Sequence, residues 1–369
     1  MRPGWAVRAA LPEFPWDRLA PYGEVARAHP GGIVDLSVGT PVDATPPVIQ
    51  EALRAASDAP GYPLTIGSPA VRTALVEWIA RRLGATLTAE QVVPSIGSKE
   101  LVALLPCLLG LPAGSTVLIP RLAYPTYDVG ARLAGCSTLA VADVTAADPA
   151  GVSLIWLNSP SNPTGAVTAA DELARVVAWG RRHDILVVSD ECYYELGWDA
   201  TPVSVLHPSV CGGTADGVLA LHSLSKRSNL AGYRAGFAAG DGAAVAAIVE
   251  ARKHAGLLVP APIQAALVAA LGDEDHVAEI RTRYAARRGK LRAALTAAGF
   301  TVEHSQAGLY LWATRGEGCW ETVKLLADIG ILVAPGEFYG EDGHAHVRVA
   351  LTATDERVDA AVQRLAALR

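Results

Sequence analysis

The segment His222-Ser223-Leu224-Ser225-Lys226 ends an apolar run with two hydroxyls and an amine, and Arg234 follows within Gly232-Tyr233-Arg234-Ala235-Gly236. A lone lysine after a strand is usually a solvated charge. The setting is what singles out Lys226. Ser223 and Ser225 lie two apart and share a face if the segment is extended. With the guanidinium of Arg234 they make a phosphate clamp, and the flanking glycines allow close backbone approach. A lysine beside a phosphate clamp suits an aldehyde cofactor that also carries a phosphate. Pyridoxal 5'-phosphate (PLP) is such a cofactor: a lysine holds it as a Schiff base, and an acidic residue faces its ring nitrogen.

Asp190 can be that acidic partner. A carboxylate at the end of a buried strand is costly unless paired, and a protonated pyridine nitrogen would pair it. A helix cap or ordinary turn is the alternative use of an aspartate there. Glu191 is adjacent and should point elsewhere. Three polar motifs follow three apolar runs: Asn158-Ser159-Pro160-Ser161-Asn162-Pro163-Thr164-Gly165, Asp190-Glu191-Cys192-Tyr193 and Ser223-Leu224-Ser225-Lys226. In open α/β sheets ligands bind outside the carboxyl ends of strands, so the three motifs point to one shared site.

The elements that would position them are short apolar runs alternating with alanine-rich helical segments. The strands are expected at Thr116–Ile119, Leu154–Leu157, Ile185–Ser189 and Val218–His222, with a weaker one at Gly236–Ala239. Leu173, Val176 and Val177 fall at helical spacing between two of them, and Thr168 with Asp171 resembles a capping start. Strands separated by helices predict an α/β fold, a mainly parallel sheet covered on both faces. After about residue 265 the pattern changes: one long helical stretch over 265–298, then short strands near Leu309–Trp312, Ile331–Ala334 and His346–Leu351. The expected division is a large domain, 44–265, and a smaller α+β domain built from 1–43 and 266–369.

Composition narrows the function classes. Of 369 residues 51% are hydrophobic and 18% charged, which excludes a disordered chain. A formal net charge of −6 offers no electrostatic case for nucleic acid. The five cysteines, Cys107, Cys136, Cys192, Cys211 and Cys319, include no Cys-x-x-Cys pair. Neither a disulfide framework nor a metal site is expected from them. Met1 to Asp17 does not read as a signal peptide, and Leu101 to Leu111 is too short to span a membrane. A cytoplasmic protein is the expectation.

The ordered set Asn162-Pro163-Thr164-Gly165, Asp190-x-x-Tyr193, Ser223-x-Ser225-Lys226 and Gly232-x-Arg234-x-Gly236 resembles fold-type I PLP enzymes, the class I/II aminotransferases. The resemblance runs over nearly the whole chain and implies further roles. Asn162 and Tyr193 match the groups that hydrogen-bond the cofactor's ring oxygen. Tyr124 matches the aromatic stacked on the ring, although a core tyrosine is the alternative. Gly97-Ser98-Lys99 matches a phosphate-binding turn at a helix N-terminus, with Lys99 contributing its backbone. Tyr62 matches a tyrosine reaching the phosphate of a neighbouring subunit, which implies a homodimer. Arg348 matches the arginine that grips the substrate α-carboxylate, for which a planar fork is suited. Gly39 matches a glycine lying beside that carboxylate. The resemblance thus implies amino-acid and keto-acid substrates.

Within that family Ser225-Lys226-Arg227-Ser228-Asn229-Leu230-Ala231-Gly232-Tyr233-Arg234 is similar to N-succinyl-diaminopimelate aminotransferases of lysine and diaminopimelate biosynthesis. Phe14-Pro15-Trp16-Asp17, Val38-Gly39-Thr40-Pro41-Val42-Asp43 and Tyr62-Pro63-Leu64-Thr65-Ile66-Gly67 add to that likeness. It implies transfer between N-succinyl-LL-2,6-diaminopimelate and 2-oxoglutarate. Aspartate, aromatic or acetylornithine aminotransferases and PLP-dependent β-lyases are the alternatives. Arg227 is a candidate for the far end of the substrate, with a structural or solvated role equally open. A transcriptional regulator would need an added DNA-binding module, and the residues before Leu36 are too few and too weakly basic for one.

Overall fold

The computed structural model describes residues 11–368. The first ten residues of the Met1–Asp17 segment and of the expected small domain lie outside these, as does Arg369. Among the described residues twelve strands form two sheets. The larger contains β2 (Val92–Ile96), β3 (Thr116–Pro120), β4 (Ser137–Val141), β5 (Val152–Asn158), β6 (Leu186–Asp190), β7 (Val218–Ser223) and β8 (Ala235–Gly240). Their order is β2-β8-β7-β6-β5-β3-β4. The smaller contains β1 (Val34–Leu36), β9 (Thr301–Glu303), β10 (Tyr310–Thr314), β11 (Ile331–Pro335) and β12 (Val347–Ala350), in the order β1-β11-β12-β10-β9.

The near-continuous apolar runs arise because both faces of the larger sheet are covered. Ile155, Val187, Val218 and Ala220 pack into one helical layer, whereas Leu154, Trp156, Val188, Leu219 and Leu221 pack into the other. Burying each such side chain contributes about 1.5–3 kcal/mol. The smaller sheet has its own apolar core, in which Leu311, Val333 and Val349 are buried. The expected strands are all present, and β5, β6 and β7 run one residue further, so that Asn158, Asp190 and Ser223 are their last residues.

The larger sheet is mainly parallel as expected, running parallel from β7 to β4, with β8 antiparallel to both β7 and β2. Two expectations change. The stretch 265–298 is two helices, Ala261–Gly272 and Asp275–Ala297, because Asp273 breaks the run and its carboxylate accepts the His276 N–H at 3.0 Å. Thr168 does not cap the helix Ala170–Arg182, whose N-cap is Ala169. Thr168 is instead held in the preceding loop, its N–H donating to Ser159 Oγ at 3.0 Å. Asp171 and Glu172 still lie in the first turn, where negative charge favours the helix dipole. Among the described residues no helix is long and apolar enough to cross a membrane.

Candidate active site

Strand register brings the three polar motifs to one edge. Asn158 pairs with Asp190, Asp190 with Leu221, and Ser223 with Gly236. The reversed direction of β8 matters here. It sets the residues just before β8, Arg234 included, beside Ser223, and it pairs Ala235 with Ile96 so that Gly97 emerges at the same edge.

Asp190 forms the floor. It is 4% exposed, accepts from Tyr127 Oη at 3.2 Å and from the Cys192 N–H at 3.2 Å, and burial pushes its carboxyl above the usual range despite those bonds. Among the described residues no cation forms an ion pair with it. Asn158 Nδ2 donates to the Asp190 carbonyl at 2.9 Å, and its Oδ1 accepts the Asn162 N–H at 2.7 Å. Strand alternation turns Glu191 to the opposite face, where it meets His222 Nε2 at 3.3 Å and accepts the Val205 N–H at 2.8 Å.

Lys226 sits in a single helical turn, Leu224–Arg227. Ser223 is its N-cap, accepting the Ser225 N–H at 3.2 Å. The two serines therefore meet the cleft through a capped turn rather than through an extended segment. The Lys226 amine donates to the Gly39 carbonyl, and burial above all pulls its pKa down to about 8. The same turn sends Arg227 the other way. It is buried against Glu195, and its Nη1 donates to the Ala270 carbonyl at 2.9 Å. Arg227 does not line the cleft, which removes it as a candidate for the far end of the substrate.

At the next corner, Ser98 opens the helix Gly97–Leu108 and lines the cleft together with Ser223, Ser225 and Arg234. Gly97 has φ +71°, and a Cβ added there would collide with the Arg234 guanidinium, so close approach requires the glycine. Arg234 itself has φ +58°, held by its Nη1 donating to the Ala231 carbonyl at 2.8 Å. Lys99 follows Ser98 in the same first turn of the helix. Its side chain lines the cleft, 5.8 Å from the Phe14 ring centroid and 5.9 Å from that of Tyr124. It makes no ion pair among the described residues, and burial followed by the charge of Arg234 lowers its pKa.

The opposite wall comes from the smaller sheet and the N-terminal segment. Arg348, 3% exposed in β12, donates through Nη1 to Asn162 Oδ1 and through Nη2 to the Ser37 carbonyl, both at 2.8 Å. Its Nε is buried without a partner. Tyr193 Oη lies 2.9 Å from Tyr310 Oη. Burial, then Tyr310, pushes the Tyr193 phenol far up, which keeps it protonated. Phe14, Trp16, Val38, Thr40 and Gly39 complete this side of a cleft of about 780 Å³, with Tyr124 across from them.

Twelve of the thirteen candidate residues thus surround one space; Tyr62, 96% exposed, stands on the surface of its own chain. Tyr310, Cys192, Asn158 and Trp16 were not singled out as site residues. Tyr310 shares a face of the sheet with Arg348, since Trp312 pairs with Arg348 and Tyr310 with Ala350. Period-two alternation would reveal this once the β10–β12 register is known.

The chain matches the model of the family described as Aminotransferase class I and II over residues 32–365. It is 61% identical to the probable aminotransferase Rv1178 of Mycobacterium tuberculosis, over 97% of this chain and 86% of that one. It is 58% identical to the 4-dedimethylamino-4-oxo-anhydrotetracycline transaminase OxyQ of Streptomyces rimosus, over 96% and 99%. An LL-diaminopimelate aminotransferase of Gloeobacter violaceus is 34% identical over 95% and 96%. An aminotransferase structure from Staphylococcus aureus superposes with a TM-score of 0.89 at 27% identity, over 98% of each chain.

Proposed function

Because the chain belongs to the class I and II aminotransferases, we propose that its cleft binds PLP and passes an amino group between an α-amino acid with a distal acidic arm and a 2-keto acid. Members of this fold use PLP, and the residues here fit it. Among the described residues the buried Asp190 carboxylate has no cation of its own, Gly97 leaves the space that the Arg234 guanidinium occupies, and Lys226 offers an amine about half neutral near pH 8. When bound, PLP supplies an electron sink that makes the substrate's Cα–H acidic.

The chain's own groups then divide the work. Lys226 Nζ would hold the cofactor covalently, and its amine is the group placed to move a proton at the substrate's Cα. Asp190 would keep the ring nitrogen protonated. Ser98, Ser223, Ser225 and Arg234 would hold the phosphate, Tyr124 would pack against the ring, and Asn162 and Tyr193 would donate to the ring oxygen. Arg348 would take the α-carboxylate: its Nε is without a partner, and Nη1 and Nη2 each keep one N–H beyond their bonds to Asn162 and Ser37. Gly39 lets the carboxylate approach beside it.

The observation that carries the substrate class is Lys99, a half-buried ammonium without an ion pair in the cleft. An acidic arm supplies its partner. N-succinyl-LL-2,6-diaminopimelate with 2-oxoglutarate suits that requirement, since both carry a second carboxylate, and diaminopimelate is the skeleton in the name of the Gloeobacter relative. The tetracyclic substrate in the name of OxyQ supports a second reading, amination of a bulky ring ketone, and the aromatic wall of Phe14 and Trp16 favours it. The active unit is a dimer in which Tyr62 reaches the neighbouring phosphate. Its 96% exposure leaves it unused within its own chain.

Stopped-flow half-reactions compare N-succinyl-LL-2,6-diaminopimelate, glutamate, aspartate, phenylalanine and alanine as donors to the PLP-loaded protein. N-succinyl-diaminopimelate and glutamate should react fastest, and Lys99→Ala should raise their half-saturation about tenfold while sparing alanine. Phenylalanine as the best donor would reject the acidic arm. Release of ammonia and keto acid without an acceptor would mark a β-lyase.

A further inference from the structure

Three contacts converge on Tyr310. It opens β10 and is buried. Its hydroxyl lies 2.9 Å from Tyr193 Oη. Its ring lies under the Arg348 guanidinium, whose carbon is 3.9 Å from the ring centroid, closer than the 5.0 Å to Tyr339. Its hydroxyl end also fills the space over Gly39, where an added Cβ would strike the phenol.

We infer that Tyr310 is a positioning residue with two separable jobs: its ring is the plate on which Arg348 presents a substrate carboxylate, and its hydroxyl decides where the Tyr193 hydrogen points. The inference rests on the aminotransferase reading of this cleft. Two hydroxyls 2.9 Å apart share one hydrogen between them. When Tyr310 donates it, Tyr193 keeps its own hydrogen for the cleft, which is what service to the cofactor's ring oxygen requires. Besides Tyr310, the Tyr193 hydroxyl faces the Cys192 thiol.

The plate acts on a different group. The bonds from Nη1 to Asn162 and from Nη2 to the Ser37 carbonyl hold Arg348 at two points. Two points define an axis, and the face contact with Tyr310 fixes rotation about it. That leaves Nε at a set angle for a ligand. A guanidinium stacked on an aromatic face gains from the ring quadrupole as well as from packing.

Two substitutions separate the jobs. Tyr310→Phe keeps the plate and removes the hydroxyl. In the PLP-loaded protein the pH midpoint of the cofactor's visible absorbance should rise by about 0.5–1 unit, because an undirected Tyr193 stabilises the ring oxygen anion less. KM for glutamate should stay within about twofold. Tyr310→Leu removes the plate, and KM should rise by about 3–30-fold for glutamate and alanine alike, since the α-carboxylate is common to both. If Tyr310→Leu does not fold, Tyr310→Met makes the same test with a longer side chain. An unmoved midpoint in folded Tyr310→Phe overturns the first job, and an unmoved KM in folded Tyr310→Leu or Tyr310→Met overturns the second. Loss of thermal stability alone, with both readouts unchanged, makes Tyr310 merely structural. Failure of the parent reading is distinct: the unsubstituted protein would then show no PLP absorbance or no amino transfer.

Discussion

The floor of the cleft and its substrate wall are built in opposite ways. On the floor, Asn158, Asp190 and Ser223 end neighbouring strands, and each is set by the ladder it terminates. On the wall, Arg348 is aligned by Asn162 and Ser37, which lie 186 and 311 positions away in sequence. A ladder holds its last residue through backbone bonds that any side chain would share. The wall depends on particular side chains meeting from separate elements. The floor should therefore tolerate change beside its functional groups and fail only when those groups are altered, whereas the wall should lose affinity in graded steps.

The most severe test falls on the floor. Lys226→Ala should reduce turnover by about 10⁴-fold or more while leaving the fold intact, read by steady-state kinetics and circular dichroism. Full activity would remove the basis of the site. Asp190→Asn keeps the shape and removes the charge. It should lower kcat by about 10²–10³-fold, and an effect confined to KM would mean that the carboxylate does not face the reacting ring. On the wall, Arg348→Lys should raise KM by about 10–100-fold for donor and acceptor, with a smaller change in kcat, because a lysine cannot reproduce the fork. A kcat loss as large as that of Asp190→Asn would erase the contrast.

The mildest test varies only pH. Burial disfavours the Lys226 ammonium and brings its pKa to about 8, so the neutral amine that attacks an aldehyde becomes scarcer below that value. Capture of PLP by cofactor-free protein should be about tenfold faster at pH 9 than at pH 7 and nearly flat above pH 9. A rate that falls with rising pH would contradict this assignment.

The same contrast explains what was legible in the sequence. Floor residues sit in contiguous motifs directly after apolar runs, so Lys226, Asp190 and Asn162 could be located from order and spacing. Arg234 was legible as a residue but not as a position: a purely parallel sheet would carry the start of β8 to the far edge, and its reversal is visible only in the pairing with β2 and β7. Tyr310 left no local signal, since its meaning comes from Arg348 two strand positions along a partner far away in sequence. The opposite facing of Lys226 and Arg227 depended on a single capped turn, and adjacent basic residues look alike until that turn is known.

The reversal of β8 also bears on how the chain folds. Gly97 and Arg234 meet only when β2 has joined β8, and Arg234 Nη2 approaches the Ile96 carbonyl at 3.4 Å across 138 positions. Contacts of such span close late, because chain entropy opposes them until shorter loops have formed. The corner formed by Gly97 and Arg234 therefore depends on the joining of β2 to β8. A ligand anchored there selects the completed sheet and stabilises it by about 1.4 kcal/mol for each tenfold excess over its Kd.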